Sequence, residues 1–237
     1  MTEKSTPFSR YSRQIFIEEI GVAGQRRIMQ SKILVVGAGG LGSPVIQYLA
    51  AAGVGTLGMV DFDVLEEHNL NRQIIHRTAD IGSAKVDSAA RFVRELNPLI
   101  NIETHSVKLD DSNAKNLILD YDVVVDGSDN FTTRYLVNDV CVALNKPIIY
   151  GSIFGFEGQV AVFNYNGGKQ LRDLFPEPPT AEDIPDCDSN GVLGALPGII
   201  GSMMAMLALK VIIGLPVDTN QLTIVDTMQW NFTKINF

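Results

Sequence analysis

The run Lys32 to Gly42, KILVVGAGGLG, followed at once by the helix-forming Ser43 to Ala52, constrains this chain more than any other stretch. Ile33 to Val36 are four consecutive aliphatic residues, which reads as a strand buried on both faces, as in a parallel sheet covered by helices. The glycines that follow read as a turn built for close approach. Gly37 permits the tight turn, Gly39 and its neighbour Gly40 let a ligand's phosphates reach the backbone, and Gly42 lets the next helix pack on the strand, its start favouring negative charge. Such a turn fits a nucleotide site. It also occurs as a glycine-rich packing turn, and by itself it names no nucleotide.

At 237 residues, 46% of them hydrophobic and 19% charged, the chain can fill the core of one α/β domain of good size or two small ones. A formal charge of -8 argues against general nucleic-acid binding, which relies on surplus Lys and Arg. Two cysteines, Cys141 and Cys187, cannot make a disulfide framework or a four-cysteine zinc site, so a reducing cytosol is expected. The N-terminal MTEKSTPFSRYSRQ has no apolar run to act as a secretory signal, which agrees with a cytoplasmic location. Val192 to Pro216 approaches membrane-spanning length, but Pro197, Lys210 and several glycines make a buried crossing helix the expectation.

Residues 8 to 30 carry apolar residues at helical spacing, with Ile15, Ile20 and Ile28 as a candidate buried stripe; Arg10 and Arg13 either project beyond the domain or are simply solvated. Thr56 to Asp61 reads as a second parallel strand. Asp61, with Asp63 beside it, stands where an acid accepts hydrogen bonds from ribose hydroxyls, unless it is a strand-end acid facing water. Glu66 to Lys85 is too long and polar for an ordinary connection and gathers Asn69, Asn71, Arg72, Gln73, Arg77 and Lys85, a set suited to phosphate oxygens or else to a solvated loop. Helices over 86–96 and 111–119 and strands over 101–107 and Asp122 to Asp126 keep the βα rhythm. The last of these strands runs into GSDNFTTRYLVND, so Asp126, Ser128, Asp129 and Asn130 fall beyond a strand's carboxyl end, where α/β sheets bind ligands. Asp129 is a candidate magnesium ligand; capping the helix Phe131 to Leu144 is the competing role for Asp129 or Asn130.

Pro147 to Ile153 and Gly158 to Phe163 read as an antiparallel pair, 164–191 as an irregular segment, Val192 to Ile213 as the apolar helix, and Leu222 to Asp226 with Asn231 to Asn236 as two last strands. The fold expected is therefore α/β, a Rossmann-like, mostly parallel sheet that becomes mixed with antiparallel strands in its C-terminal part, with helices on both faces. It forms a single domain over 1–237: a helical arm at 8–30, a nucleotide-binding part at 32–150, and a mixed-sheet part at 151–237 with a crossover loop at 164–191.

RYSRQ, VVGAGGLGSP, DFDVLEEHNLNRQ, GSAKVDSA, DGSDNFTTRYLVND, GxEGQVAVF and GVLGALPGIIGS occur in an order and spacing that resembles the ThiF/MoeB/HesA family, relatives of the ubiquitin-activating enzymes. FPEPP and the spacing on to Cys187 resemble its thiamine-pathway, ThiF-type branch most. The resemblance implies an ATP-dependent adenylyltransferase acting on the C-terminal glycine carboxylate of a ubiquitin-like sulfur carrier ending in Gly-Gly. It implies roles as well: Gly37 to Gly42 at the phosphates, Asp61 on the ribose, Asn69, Arg72, Gln73 and Lys85 on phosphate oxygens, and Asp129 on magnesium. Arg13 is implied to reach the partner subunit's phosphates, which requires a homodimer. Cys187 stands where ThiF-type members carry a cysteine able to bond to the carrier; Asp186 and Asp188 beside it work against a reactive thiolate.

Many family members hold zinc with two CxxC pairs. Here the first pair's positions correspond to Gln170 and Asp173 and no second pair follows, so zinc is expected to be absent and the loop near 170 to rely on packing alone. Cys141, in a helical run, is expected to be a core thiol. Three alternatives stand beside this reading: an adenylating enzyme acting on a different carrier or peptide; an NAD-dependent oxidoreductase, which leaves Arg13, Arg72 and Lys85 idle; and a nucleotide-binding module without catalysis, which fits only if the phosphate-contacting residues are lost.

Overall fold

A computed structural model describes residues 8–179 and 191–237. Five strands run parallel: β1 (Lys32–Val36), β2 (Thr56–Val60), β3 (Asn101–His105), β4 (Val123–Asp126) and β5 (Ile148–Phe154). β6 (Glu157–Phe163), β7 (Gln221–Asp226) and β8 (Asn231–Asn236) then join antiparallel, giving one sheet in the order β3-β2-β1-β4-β5-β6-β7-β8. The mixed sheet expected from the sequence is thus present, with its parallel half first.

Side chains along β1 are buried on alternate faces: Ile33 and Val35 enter one core and Leu34 and Val36 the other. The first core takes α2 (Gly21–Gln30), α3 (Gly42–Ala52), α4 (Lys85–Leu96) and α8 (Ala195–Ile213); the second takes α5 (Ala114–Leu119), α6 (Phe131–Ala143) and the short α7 (Leu171–Leu174). Helices on both faces explain why the parallel strands are apolar runs and not alternating ones. Cys141 lies wholly within the second core, where burial pushes its thiol pKa far up and Asp126 adds to the effect.

The N-terminal arm is not one helix but two, α1 (Ser12–Ile15) and α2, broken at Gly21, which takes a left-handed φ of 53°. Of its expected stripe only Ile28 is fully buried; the arm is held instead by Tyr11, whose ring fills the space beside Gly53. α8 is apolar and long enough to cross a membrane, yet half of it is buried against α3, β5 and β6. It crosses the start of α3 closely, because a Cβ on Gly201 would stand 2.5 Å from the Leu41 carbonyl oxygen.

The loop near residue 170 corrects one expectation, for it does not rely on packing alone. Gln170 and Asp173 exchange hydrogen bonds as a capping box on α7, Gln170 also accepts from Asn138 at 2.8 Å, and Arg172 pairs with Asp139 while lying over the Tyr135 ring. Hydrogen bonding to α6 therefore anchors this segment.

Candidate nucleotide site

Strand register assembles the site. Val36 of β1 stands level with Val60 of β2 and Asp126 of β4, so Gly37, Asp61 and Gly127 leave the sheet side by side at its carboxyl edge. The ladder continues one step into the loops: Gly37 N–H donates to the Val60 carbonyl and Gly127 N–H to the Val36 carbonyl, each at 2.9 Å. Ligands of parallel sheets bind beyond this edge.

The glycine turn is as tight as the spacing predicts. Gly37 takes a left-handed φ of 88°, and a Cβ on Gly42 would lie 1.9 Å from the Gly37 carbonyl oxygen. No side chain caps the start of α3, so none competes with an anion for its first N–H groups. Asp61 accepts from Ala38 N–H through Oδ2 and from Asp63 N–H through Oδ1, both at 2.8 Å, and each oxygen keeps a lone pair for a ribose hydroxyl. Burial raises the Asp61 pKa, while those two N–H groups and Lys85 pull against the rise. Lys85, the first residue of α4, donates to Asp63 Oδ2 at 2.6 Å, its own side chain only 8% exposed.

The long loop divides into parts with different destinations. Gln73 is buried beside Gly39, its Oε1 without a partner among the described residues, and the stem of Arg72 lies beside Gly40. Arg72 donates through Nη1 to the His68 carbonyl and to Asn71 Oδ1, which holds one edge of its guanidinium. Asn69 is buried and closes a capping box with Glu66. Arg77 pairs with Glu95 on α4, leaving the cluster expected from the sequence. The start of α8 covers this loop, since a Cβ on Gly194 would stand 2.0 Å from the Asn71 carbonyl oxygen.

On the β4 loop, Asn130 is the cap of α6, accepting from Thr133 N–H at 2.9 Å, and exposed Asp129 precedes it. Among the described residues no three His, Cys, Asp or Glu side chains gather into a metal cluster. One carboxylate completed by substrate phosphates is nevertheless an arrangement magnesium uses, and Asp129 fits it. Cys187 lies outside the described residues.

Two residues of the site were not foreseen. His76 is buried against the glycine turn, and Arg134 on α6 is buried with its guanidinium 4.9 Å from the centre of the Tyr150 ring, donating to the Ser128 carbonyl at 2.7 Å. Neither carries a local signal, because an isolated His or Arg inside a helical or loop run reads as solvated.

Fold and site together define an α/β protein of the nucleotide-binding type, with Gln73 and the stem of Arg72 against its glycine turn. The chain belongs to the ThiF family, whose model matches residues 11–237. It is 46% identical over 232 residues to "Probable adenylyltransferase/sulfurtransferase MoeZ" of Mycobacterium tuberculosis, covering 96% of this chain and 59% of that protein. It is 45% identical over 232 residues to "Sulfur carrier protein adenylyltransferase" of Thermus thermophilus, covering 95% of this chain and 86% of the relative. The chain thus spans about half to three fifths of several curated relatives it matches, and most of others. Among solved structures, E. coli MccB with AMPCPP and MccA superposes with a TM-score of 0.87 over 98% of this chain and 72% of that one; at 21% identity this concerns the fold.

Proposed function

We propose that the chain transfers AMP from ATP to the C-terminal carboxylate of a ubiquitin-like sulfur carrier ending in Gly-Gly, giving an acyl-adenylate and pyrophosphate. The observation that carries this reading is the set of groups beside the glycine turn. Asp61 faces the ribose position, Gln73 and Arg72 flank Gly39 and Gly40, and Lys85 stands behind Asp63. A carboxylate attacking an α-phosphate brings two anions together, so the protein must neutralise charge and hold the reactants in line. Arg72 offers a planar fork and Lys85 a compact charge for phosphate oxygens. Asp129 would hold magnesium, which would supply charge neutralisation at the leaving pyrophosphate. Hydride transfer from a dinucleotide gives these cations no task. The names of the Thermus and mycobacterial relatives agree with the proposal, and the choice between thiamine and molybdopterin pathways rests on the carrier.

We further read the active form as a homodimer. α1 is fixed by Tyr11 against Gly53 and by Gln14, which donates to the Ala52 carbonyl at 3.2 Å, so exposed Arg13 sits at the far end of α3 from the glycine turn. An 11-residue helix is about 16 Å long. In this reading Arg13 serves a neighbouring copy's site, and Gln14 beside it in sequence lines an apolar hollow with exposed Tyr48 and Met206.

The test is pyrophosphate exchange into ATP with Gly-Gly carriers. Arg72→Ala and Asp129→Ala are expected to lose exchange by about 100-fold or more, the scale of removing one charge-stabilising group. No exchange with any such carrier, together with NAD reduction, overturns the proposal. Cys187→Ser is expected to keep exchange within about threefold, because adenylation precedes any thiolate attack; its effect belongs to later sulfur transfer. Loss of exchange in folded Cys187→Ser protein would show that the two steps are not separable.

A further inference from the structure

We propose that His76 is a positioning residue for the nucleotide turn, holding the Ala38 carbonyl through its Nε2–H so that the 37–40 backbone keeps the shape phosphates require. This rests on the reading of the turn as an ATP site.

The peptide units on either side of Ala38 are pinned by two side chains from different elements. Its N–H donates to Asp61 Oδ2 at 2.8 Å, and its carbonyl lies 2.9 Å from His76 Nε2. A glycine-rich turn gains no rigidity from its own side chains, so outside groups must supply it. Proton counting sets the tautomer. A carbonyl only accepts, so Nε2 carries hydrogen. Ser88 Oγ lies 2.8 Å from His76 Nδ1 and 2.9 Å from Asp80 Oδ2, and its single hydrogen serves one of them at a time. With neutral imidazole the hydroxyl donates to Nδ1. With imidazolium, Nδ1–H donates to Ser88 and Ser88 to Asp80, which Arg91 also holds. The Nε2–H bond to Ala38 survives in both states.

The charged groups around the ring are Lys85, which disfavours the imidazolium, and Asp61 and Asp80, which favour it, with Arg91 bound to Asp80. Burial lowers the imidazole pKa, the Ala38 carbonyl opposes this, and Lys85 lowers it further. The ring is therefore neutral at pH 7, and the clamp does not depend on its titration.

Substitution separates the two nitrogens. Gln places its Nε2 three bonds from Cβ, as in histidine Nε2, and can donate to Ala38; Asn places its nitrogen where Nδ1 stands and reaches only toward Ser88. ATP binding by calorimetry and KM and kcat in pyrophosphate exchange are measured for wild type, His76→Phe, His76→Gln and His76→Asn, each well below its melting temperature. Phe and Asn are expected to weaken ATP binding and raise its KM about 10-fold, the scale of one lost hydrogen bond to a buried carbonyl, with kcat changed less than about threefold. Gln is expected to stay within about threefold of wild type. Nitrogen NMR is expected to show neutral His76 protonated at Nε2.

Wild-type affinity in both Phe and Asn variants, or equal rescue by Asn and Gln, overturns the proposal. So does the Nδ1–H tautomer. If His76→Phe does not fold, the Gln and Asn pair still decides. Failure of wild type to bind ATP refutes the nucleotide assignment instead, whereas wild-type binding with unaltered variants refutes only the role of His76.

Discussion

Gly42→Ala is expected to abolish detectable ATP binding and to lower the melting temperature, the two effects arising from one contact. The new methyl would stand 1.9 Å from the Gly37 carbonyl oxygen, a backbone atom. That peptide cannot swing aside freely, since its own N–H, that of Ala38, is tied to Asp61 Oδ2 and Gly37 already occupies a left-handed conformation. Either α3 lifts off β1 or the turn opens, and both move the phosphate-facing N–H groups. Overpacking of this kind costs about 1–3 kcal/mol, or roughly 2–12 °C for a domain of this size, and a displaced turn loses about 100-fold or more in affinity. Gly39→Ala is the informative partner. A Cβ there meets only Gln73 Nε2 at 3.5 Å, so the fold accepts it, while the methyl intrudes on the phosphate approach. Its melting temperature is expected within about 2 °C of wild type, with binding weakened at least about 10-fold. Calorimetric binding and thermal unfolding measure both. Native ATP affinity in Gly42→Ala would show that the turn tolerates rearrangement and that its glycines serve packing only.

The sheet was legible because its parallel strands are buried on both faces and so appear as apolar runs, and the glycine turn because the left-handed φ of Gly37 and the close contact at Gly42 require glycine there. The antiparallel strands were legible from alternation and the glycines between Phe154 and Gly158. What stayed hidden was direction. Asn69, Arg72, Gln73 and Arg77 are neighbours in sequence, yet two short 3-10 turns, Glu67–Asn69 and Thr78–Asp80, send them to different places: Asn69 into a local cap, Gln73 under Gly39, Arg77 out to Glu95. His76 stayed hidden for a related reason. Its partners Ala38 and Ser88 lie 38 and 12 residues away, and no local pattern links them. The loop at 170 was read by what it lacks, two cysteines, although Gln170 and Asp173 at that spacing form a capping box of their own.

Lys85→Met tests the electrostatic half of the site with little disturbance to the fold. Methionine replaces the buried stem at similar length, and Asp63, left without its ion pair, is 44% exposed and can be rehydrated. Stability is therefore expected to change by less than about 1 kcal/mol, the scale of a half-exposed pair. Catalysis is expected to change far more: removing a preorganised charge from a phosphate-transfer site costs about 100- to 1,000-fold in exchange rate. A second consequence follows from the neighbouring acid. Burial already raises the Asp61 pKa and Lys85 counteracts it, so without the ammonium the pKa rises further. Because the carboxylate is the form that accepts from the Ala38 N–H and from a ribose, ionised Asp61 is lost at higher pH in the variant than in wild type. The acid limb of the residual exchange activity is accordingly expected to move toward neutral pH, whereas simple loss of a phosphate contact leaves it in place. Exchange within tenfold of wild type would remove Lys85 from the catalytic set and leave it as the structural partner of Asp63, and a large loss with an acid limb that stays in place would overturn its coupling to Asp61.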